Sequence, residues 1–271
     1  MGKIHWAIVC VVFLSCSFLG NKGVKGVELD VSEIISKVWW KYRKAEDEKE
    51  RLKITLRYRD GREIVKELFK WTQFSADGKD KLAIKFTLPV ADKGLGLLTF
   101  RDPVKRDVHW LKKPSLRNIR RLPIRDESEY FGGIDLTIED LTQSVGERQI
   151  DFLYQLVESN KDFWVIEALP KEGIATGYTK RIFWIDKQSV LRKVEYYDRN
   201  EGLLKVQRNM DIHTSAEGRW RANRIEIENI HLGRTTIIEI EDRQIDSRLS
   251  ADIFTKGFLL INRPAGIYQN M

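Results

Sequence analysis

Cysteine is nearly missing from this sequence: there are two, Cys10 and Cys16, and both stand within the first 26 residues. A chain processed behind that point holds no thiol, which excludes disulfide staples and cysteine-ligated metal. Phe13, Leu14 and Ser15 ahead of Cys16 make a poor lipobox, so anchoring through that cysteine is not expected. A second long hydrophobic run is also missing. The single apolar stretch, Ile4 to Leu19, is shorter than the about 20 residues of a spanning helix. With Lys3 before it and Gly20, Gly23 and Gly26 after it, residues 1–26 read as a cleavable signal peptide, so the mature chain is expected to be exported.

A sustained charge of one sign is likewise absent. The chain carries 47 Lys and Arg against 40 Asp and Glu, and three of those cations, Lys3, Lys22 and Lys25, lie in the leader. Beyond it the signs alternate, as at Arg57, Arg59, Asp60, Arg62 and Glu63. This is the surface of a solvated sheet, without the basic stripe that nucleic-acid binding needs. There is no internal repeat, low-complexity tract or Pro-rich linker, so residues 27–271 are expected to form one domain.

Signals for chemistry are sparse. His5, His109, His213 and His231 are scattered without metal-ligand spacing, and Ser128 and Ser144 lack a nucleophile elbow. Gly94 and Gly96 lack the Lys-Ser/Thr ending of a phosphate loop and stand between strands. Asp135, Glu139 and Asp140 could suggest paired catalytic acids. They fit helix capping better, with Asp135 as N-cap and the other two in the first turns. The expectation is a non-enzyme with no catalytic residue, metal or cofactor.

What the sequence does have is alternation. Residues 30–50 form the one strong helix: Asp30 can cap it with Glu33 three residues on, and Val31, Ile34, Ile35, Val38 and Trp39 recur at helical spacing. The charged stretch Lys44 to Arg51 reads as its solvated end. From Ile54 onward the period is two. Ile54 to Tyr58 runs to an Asp60-Gly61 turn and Ile64 to Trp71 returns, a hairpin signal. Further strands are expected at 82–88, 96–100, 107–111, 118–122, 149–157, 163–169, 180–185, 191–198, 203–212, 221–229 and 235–241. Short turns leave no room for crossover helices, so the sheet is expected to be antiparallel.

Ile225 and Ile227 alternate with Arg224, Glu226 and Glu228, which makes one face apolar and one wet. Only three helical pieces, 30–50, about 136–145 and about 247–256, are available to cover the apolar face. They are too few to fill it. The fold class expected is mainly β (α+β): a strongly curved antiparallel half-barrel of about 10–11 strands, its concave face covered by an N-terminal helix and short helices around a partly open interior.

The stretch from Phe86 to Leu141 carries the most specific pattern. It holds Phe86-Thr-Leu-Pro89, then Lys93-Gly94-Leu-Gly96-Leu97-Leu98, then Trp110-Leu111-Lys-Lys-Pro114-Ser-Leu-Arg117-Asn-Ile-Arg120-Arg121, and Phe131-Gly-Gly-Ile-Asp135 leading to Glu139-Asp140-Leu141. In this order the sequence resembles the outer-membrane lipoprotein-sorting proteins of the LolA/LolB-like superfamily, in particular the larger periplasmic members associated with RND-type lipid exporters. Weaker agreement extends through Tyr178 to Asp186 around Trp184, Glu195 to Gly202 and Asp252 to Thr255. Gly133 departs from the pattern, standing where many relatives carry Ser. The resemblance implies a periplasmic half-barrel whose apolar cavity receives lipid or lipoprotein acyl chains for transfer towards the outer membrane.

Candidate cavity or rim residues are Phe86, Leu97, Trp110, Leu111, Pro114, Phe131 and Trp184, with Arg117, Arg120 and Arg121 able to meet a head group because guanidinium forks suit phosphate and carboxylate oxygens. For the eight tryptophans, filling a core is the plainer role. The implied partners are acyl chains, an inner-membrane RND-type transporter and, transiently, a membrane. An accessory subunit of the exporter is the alternative function, and an outer-membrane β-barrel a weaker one.

Overall fold

A computed structural model of the chain describes residues 30–262 together with 267 and 268. The expected signal peptide lies outside these residues. Helix α1, Val31–Tyr42, buries Ile34, Ile35, Val38, Trp39 and Tyr42, the stripe its spacing dictates. It stops earlier than the sequence suggested. Strand β1, Asp47–Tyr58, begins inside the stretch assigned to a solvated helix end, and Asp47, Glu48, Lys49 and Glu50 are all buried. The misreading has a physical cause, since the cations that make burial of Glu48 and Glu50 tolerable come from distant strands.

The remaining strands are β2 Glu63–Gln73, β3 Lys81–Leu88, β4 Gly96–Phe100, β5 Val108–Lys112, β6 Arg120–Arg121, β7 Phe152–Ser159, β8 Phe163–Pro170, β9 Lys180–Asp186, β10 Leu191–Tyr197, β11 Leu203–Thr214, β12 Trp220–Asn229 and β13 Arg234–Ile245. Each falls on one of the alternating segments of the sequence. They form one thirteen-stranded sheet in the order β6-β5-β4-β3-β2-β1-β13-β12-β11-β10-β9-β8-β7. Two meanders are thus joined where β1 pairs with β13, in antiparallel register from Glu48 opposite Ile245 to Tyr58 opposite Arg234. The sheet ends at β6 on one side and β7 on the other, so it is an open half-barrel. The outer-membrane barrel reading fails on this point, because a lipid-facing sheet cannot leave its edges unpaired.

The inner face collects Leu52, Ile54 and Leu56 of β1, Leu82, Ile84 and Phe86 of β3, Leu97 of β4, Leu111 of β5, Phe183 and Ile185 of β9 and Ile238 of β13 into one core. Laid flat, thirteen strands would span about 60 Å. Curling lets the sheet wrap α1 and the segment 131–145, which contains the short helix α2, Ile138–Gln143.

The third helical piece is not on this face. Residues 251–254 and helix α3, Lys256–Leu260, pack with Tyr268 against Phe69, Trp71, Ala83 and Leu98, the opposite side of β2, β3 and β4. These three strands are apolar on both faces, and the outer patch needs a cover of its own. Trp71 meets Phe258 edge-on at 5.1 Å. The buried Lys85 ammonium donates to the carbonyl of Phe258 at 2.9 Å and to that of Ile261, tying the cover down.

Candidate functional site

The segment entering α2 is held to the sheet by side chains. Thr137 is the N-cap: its hydroxyl accepts from the Asp140 amide at 3.1 Å, and the Asp140 carboxylate accepts from the Thr137 amide at 2.7 Å, a reciprocal capping box. Asp135, expected as the cap, does something else. Its fully buried carboxylate accepts from Arg234 at 3.0 Å, Asn229 at 2.8 Å and the Thr236 hydroxyl at 2.6 Å. Asp140 also accepts from Lys205 and, at 2.8 Å, from the Tyr178 hydroxyl. The Lys205 ammonium donates in turn to the Asp135 carbonyl at 3.0 Å. Two carboxylates from the segment thus engage Lys205 and Arg234 of the sheet. Glu139 accepts from Thr176 at 2.6 Å and from the Gly177 amide at 3.0 Å. All three acids considered from the sequence thus engage in pairing or capping contacts.

Gly132 makes the close approach possible. At φ +60° it occupies left-handed space, and a Cβ there would sit 2.8 Å from Phe86 and 2.9 Å from Leu95. Gly133, at φ +72°, would meet nothing within 4 Å.

Between this segment, α1 and the sheet lies an apolar hollow of about 100 Å³. Ile134, Leu136 and Leu141 wall it on one side; Leu52, Ile54, Leu68, Ile84, Ile225, Ile238 and Ile240 of the sheet wall it on the other, and Trp39, Tyr42 and Trp220 close one end. α1 and segment 131–145 pack against the sheet on the other sides of this hollow.

At one end the hollow meets charge. Arg221 grips Glu48 through Nε at 2.9 Å and Nη2 at 2.7 Å, Arg243 spans Glu48 and Glu50 at 2.9 and 2.8 Å, and Lys70 donates to Glu50 at 2.9 Å. Burial acts to raise the Glu50 carboxyl, but Lys70 and Arg243 outweigh it and hold the group below the usual carboxylate range. Burial pulls the Lys70 ammonium down, and Glu50 more than restores it, so the cation persists.

A second pocket, of about 220 Å³, lies between β5 and α2. His109 Nδ1 is 2.9 Å from the Thr99 hydroxyl, and His109 Nε2 is 3.7 Å from Glu127. Burial lowers His109 to about 4 and raises Glu127 to about 7. Among the described residues no His, Asp and Glu cluster has the makings of a metal site.

The residues singled out from the sequence are dispersed. Phe86, Leu97, Leu111 and Phe131 belong to the inner core. Phe86 and Phe131 meet edge-on at 5.6 Å, and Leu111, Pro114 and Phe131 line a further pocket of about 330 Å³. Trp110 packs on the outer core beneath Lys256, and Trp184 stacks under Lys193 with Phe163, on the side of β9 away from Phe183 and Ile185. Arg117, Arg120 and Arg121 are exposed. Arg120 lies 3.7 Å from Asp126. None of the ten borders the 100 Å³ hollow. Sequence reasoning missed its polar end because Glu48, Glu50, Lys70, Arg221 and Arg243 look like surface charges in alternating strands.

The fold is similar to that of solved proteins described as lipoprotein-sorting or LolA superfamily. It superposes on a domain described as outer-membrane lipoprotein-sorting from Vibrio parahaemolyticus with TM-score 0.77 at 24% identity, covering 84% of this chain and 97% of that one. A DUF1329 family protein from Desulfovibrio piger gives 0.76 at 21%, with 84% and 96% covered. A LolA superfamily protein from Nitrosomonas europaea gives 0.64 at 21%, with 84% and 98% covered. No curated protein matches the sequence. A family model described as "Uncharacterized protein" matches residues 78–260, and the chain belongs to that family.

Proposed function

We propose that this protein is a periplasmic carrier that holds lipid or lipoprotein acyl chains on the inner face of its half-barrel and passes them towards the outer membrane without chemistry. The observation that carries the reading is the construction of the hollow. One of its walls is a separate segment, residues 131–145, fastened by buried side-chain pairs and so able to part from the sheet without breaking strand pairing. Each acyl methylene withdrawn from water gains about 0.8 kcal/mol, so chains that displace Ile134, Leu136 and Leu141 replace one apolar contact with another. The likeness to a lipoprotein-sorting domain supports the same reading.

Delivery from an inner-membrane RND-type transporter and passing contact with a membrane belong to this proposal. Trp40, Ile150, Leu153 and Val157 support it, being exposed apolar side chains on α1 and at the β7 edge, where the sheet is open.

The test is mass spectrometry of the gently purified protein and of its solvent extract. Co-purifying lipid, together with displacement of an apolar fluorophore by long-chain amphiphiles, is the expected result. A protein that is lipid-free and binds neither probe nor amphiphile is not a carrier.

A further inference from the structure

Among the described residues, buried charge clusters on the inside of the half-barrel differ in balance. At the latch, Asp135 and Asp140 meet Arg234 and Lys205. Beside Phe152, Glu147 meets Arg181 at 2.7 Å. Where β1 pairs with β2 and β13, two carboxylates, Glu48 and Glu50, meet three cations, Lys70, Arg221 and Arg243. The first cluster is neutral, the second gains a further acid in Glu139, and the third has one more cation than carboxylate at the end of an apolar hollow.

The donors locate that charge. Arg221 is engaged by Glu48 through Nε at 2.9 Å, and its Nη1 donates to the carbonyls of Tyr42 and Trp220 at 2.6 and 2.8 Å, while Nη2 lies 2.7 Å from the same carboxylate. Arg243 is engaged at all three nitrogens, with Nε on Glu50 at 2.8 Å, Nη1 on Asn223 at 2.7 Å and Nη2 on the Ala222 carbonyl at 2.8 Å. Lys70 has three donors and, among the described residues, one hydrogen-bond partner, Glu50. It borders the hollow, with its side chain only 11% exposed. The nearby amides do not compete for it, because Asn209 donates to the Leu191 carbonyl and accepts from Gln207, while Gln207 accepts from Tyr196. A buried cation with unused donors beside an apolar wall is costly when empty and favours an anionic oxygen.

We propose that the hollow selects a single-chain amphiphile with an anionic head, its carboxylate or phosphate oxygens seated on Lys70 and its first methylenes among Leu68, Ile84 and Ile238. This inference rests on the carrier reading and adds head-group selection to it. The chain beyond those methylenes takes the place of the Leu136 and Leu141 side chains as segment 131–145 lifts. A neutral or cationic head would leave the extra charge unanswered.

The test is displacement of a neutral apolar fluorophore from the full chain, below micelle-forming concentrations, by four hexadecyl compounds: hexadecanoate, hexadecyl phosphate, hexadecanol and hexadecyltrimethylammonium. Hexadecanoate or hexadecyl phosphate is expected to displace the probe at roughly tenfold lower concentration than hexadecanol, with the ammonium compound weakest. Whichever anion is stronger identifies a carboxylate or a phosphate seat. Lys70→Met should abolish the preference while keeping probe binding, and Lys70→Arg should retain it. Equal displacement by hexadecanol, or an undiminished preference in a folded Lys70→Met protein, overturns the head-group inference and leaves the carrier reading standing. Failure of all four compounds overturns both.

Discussion

Arg234 and Asp135 stand 99 positions apart in the chain, yet Arg234 Nη2 donates to Asp135 Oδ1 at 3.0 Å and its Nε donates to both carboxylate oxygens. The pair fixes one wall of the hollow to β13. Replacing Arg234 with Met strands a buried carboxylate, which costs about 3–5 kcal/mol. Thr236→Val removes one hydroxyl from the same carboxylate and costs about 1 kcal/mol. Urea unfolding of the two variants checks the ranking, and equal losses would show that Asp135 is not held chiefly by charge.

Gly132 and Gly133 separate steric from conformational cost. Both adopt positive φ, at +60° and +72°. Only at Gly132 would a new Cβ collide, with Phe86 and Leu95. Gly133→Ala is expected to cost about 1 kcal/mol and Gly132→Ala about 3 kcal/mol, measured as shifts in denaturation midpoint.

The two faces of the sheet should respond independently. Trp71→Ala, in the outer core, removes a large buried ring and should cost about 3–5 kcal/mol while leaving acyl-ligand affinity unchanged. Ile225→Phe adds volume to the hollow; it should weaken ligand displacement roughly tenfold at a stability cost below about 1.5 kcal/mol. A Trp71 variant that loses ligand binding while still folded would mean the faces are coupled.

Glu127 gives a pH signature. Burial raises its carboxyl to about 7 from an ordinary value near 4.5, with Asp107 and Glu139 adding to the rise and Arg106 and Arg148 opposing it. The folded protein then keeps a proton that the unfolded chain releases, so this contribution is present at low pH and is lost as pH rises through about 7. His109, lowered to about 4, acts in the opposite sense, since its share falls as pH drops from about 6.5 to about 4. Comparing wild type with Glu127→Gln isolates the first effect. The variant should gain about 3 kcal/mol relative to wild type at pH 8 and nothing at pH 4. A difference independent of pH would place the ordinary carboxyl value at Glu127.

Local physics made the strands legible. Period-two alternation and turn residues such as Asp60-Gly61, where Gly61 has φ +84°, mark where each strand begins and returns. The helix at Ile138–Gln143 also lies where the pattern placed it, but its cap does not. Asp135 and Thr137 are both capping types, and only the tertiary structure occupies Asp135 with Arg234 and leaves the cap to Thr137.

Of the ten site candidates, Phe86, Leu97 and Leu111 reach the inner face by alternation within their own strands, whereas Phe131 reaches it from the turn before α2. Trp110 and Trp184 lie on the outer side because face assignment depends on register. A shift of one residue exchanges every side chain between faces.

The sequence by itself determined that this chain makes an antiparallel sheet of alternating strands with an apolar inner face, because side-chain periodicity and turn geometry act over a few residues. The pairing of β1 with β13 decided the rest. It brings Glu48 to Arg221, 173 positions away, and Glu50 to Arg243, 193 positions away. Charges that alone would demand water are thereby buried together, and one cation is left over beside the hollow.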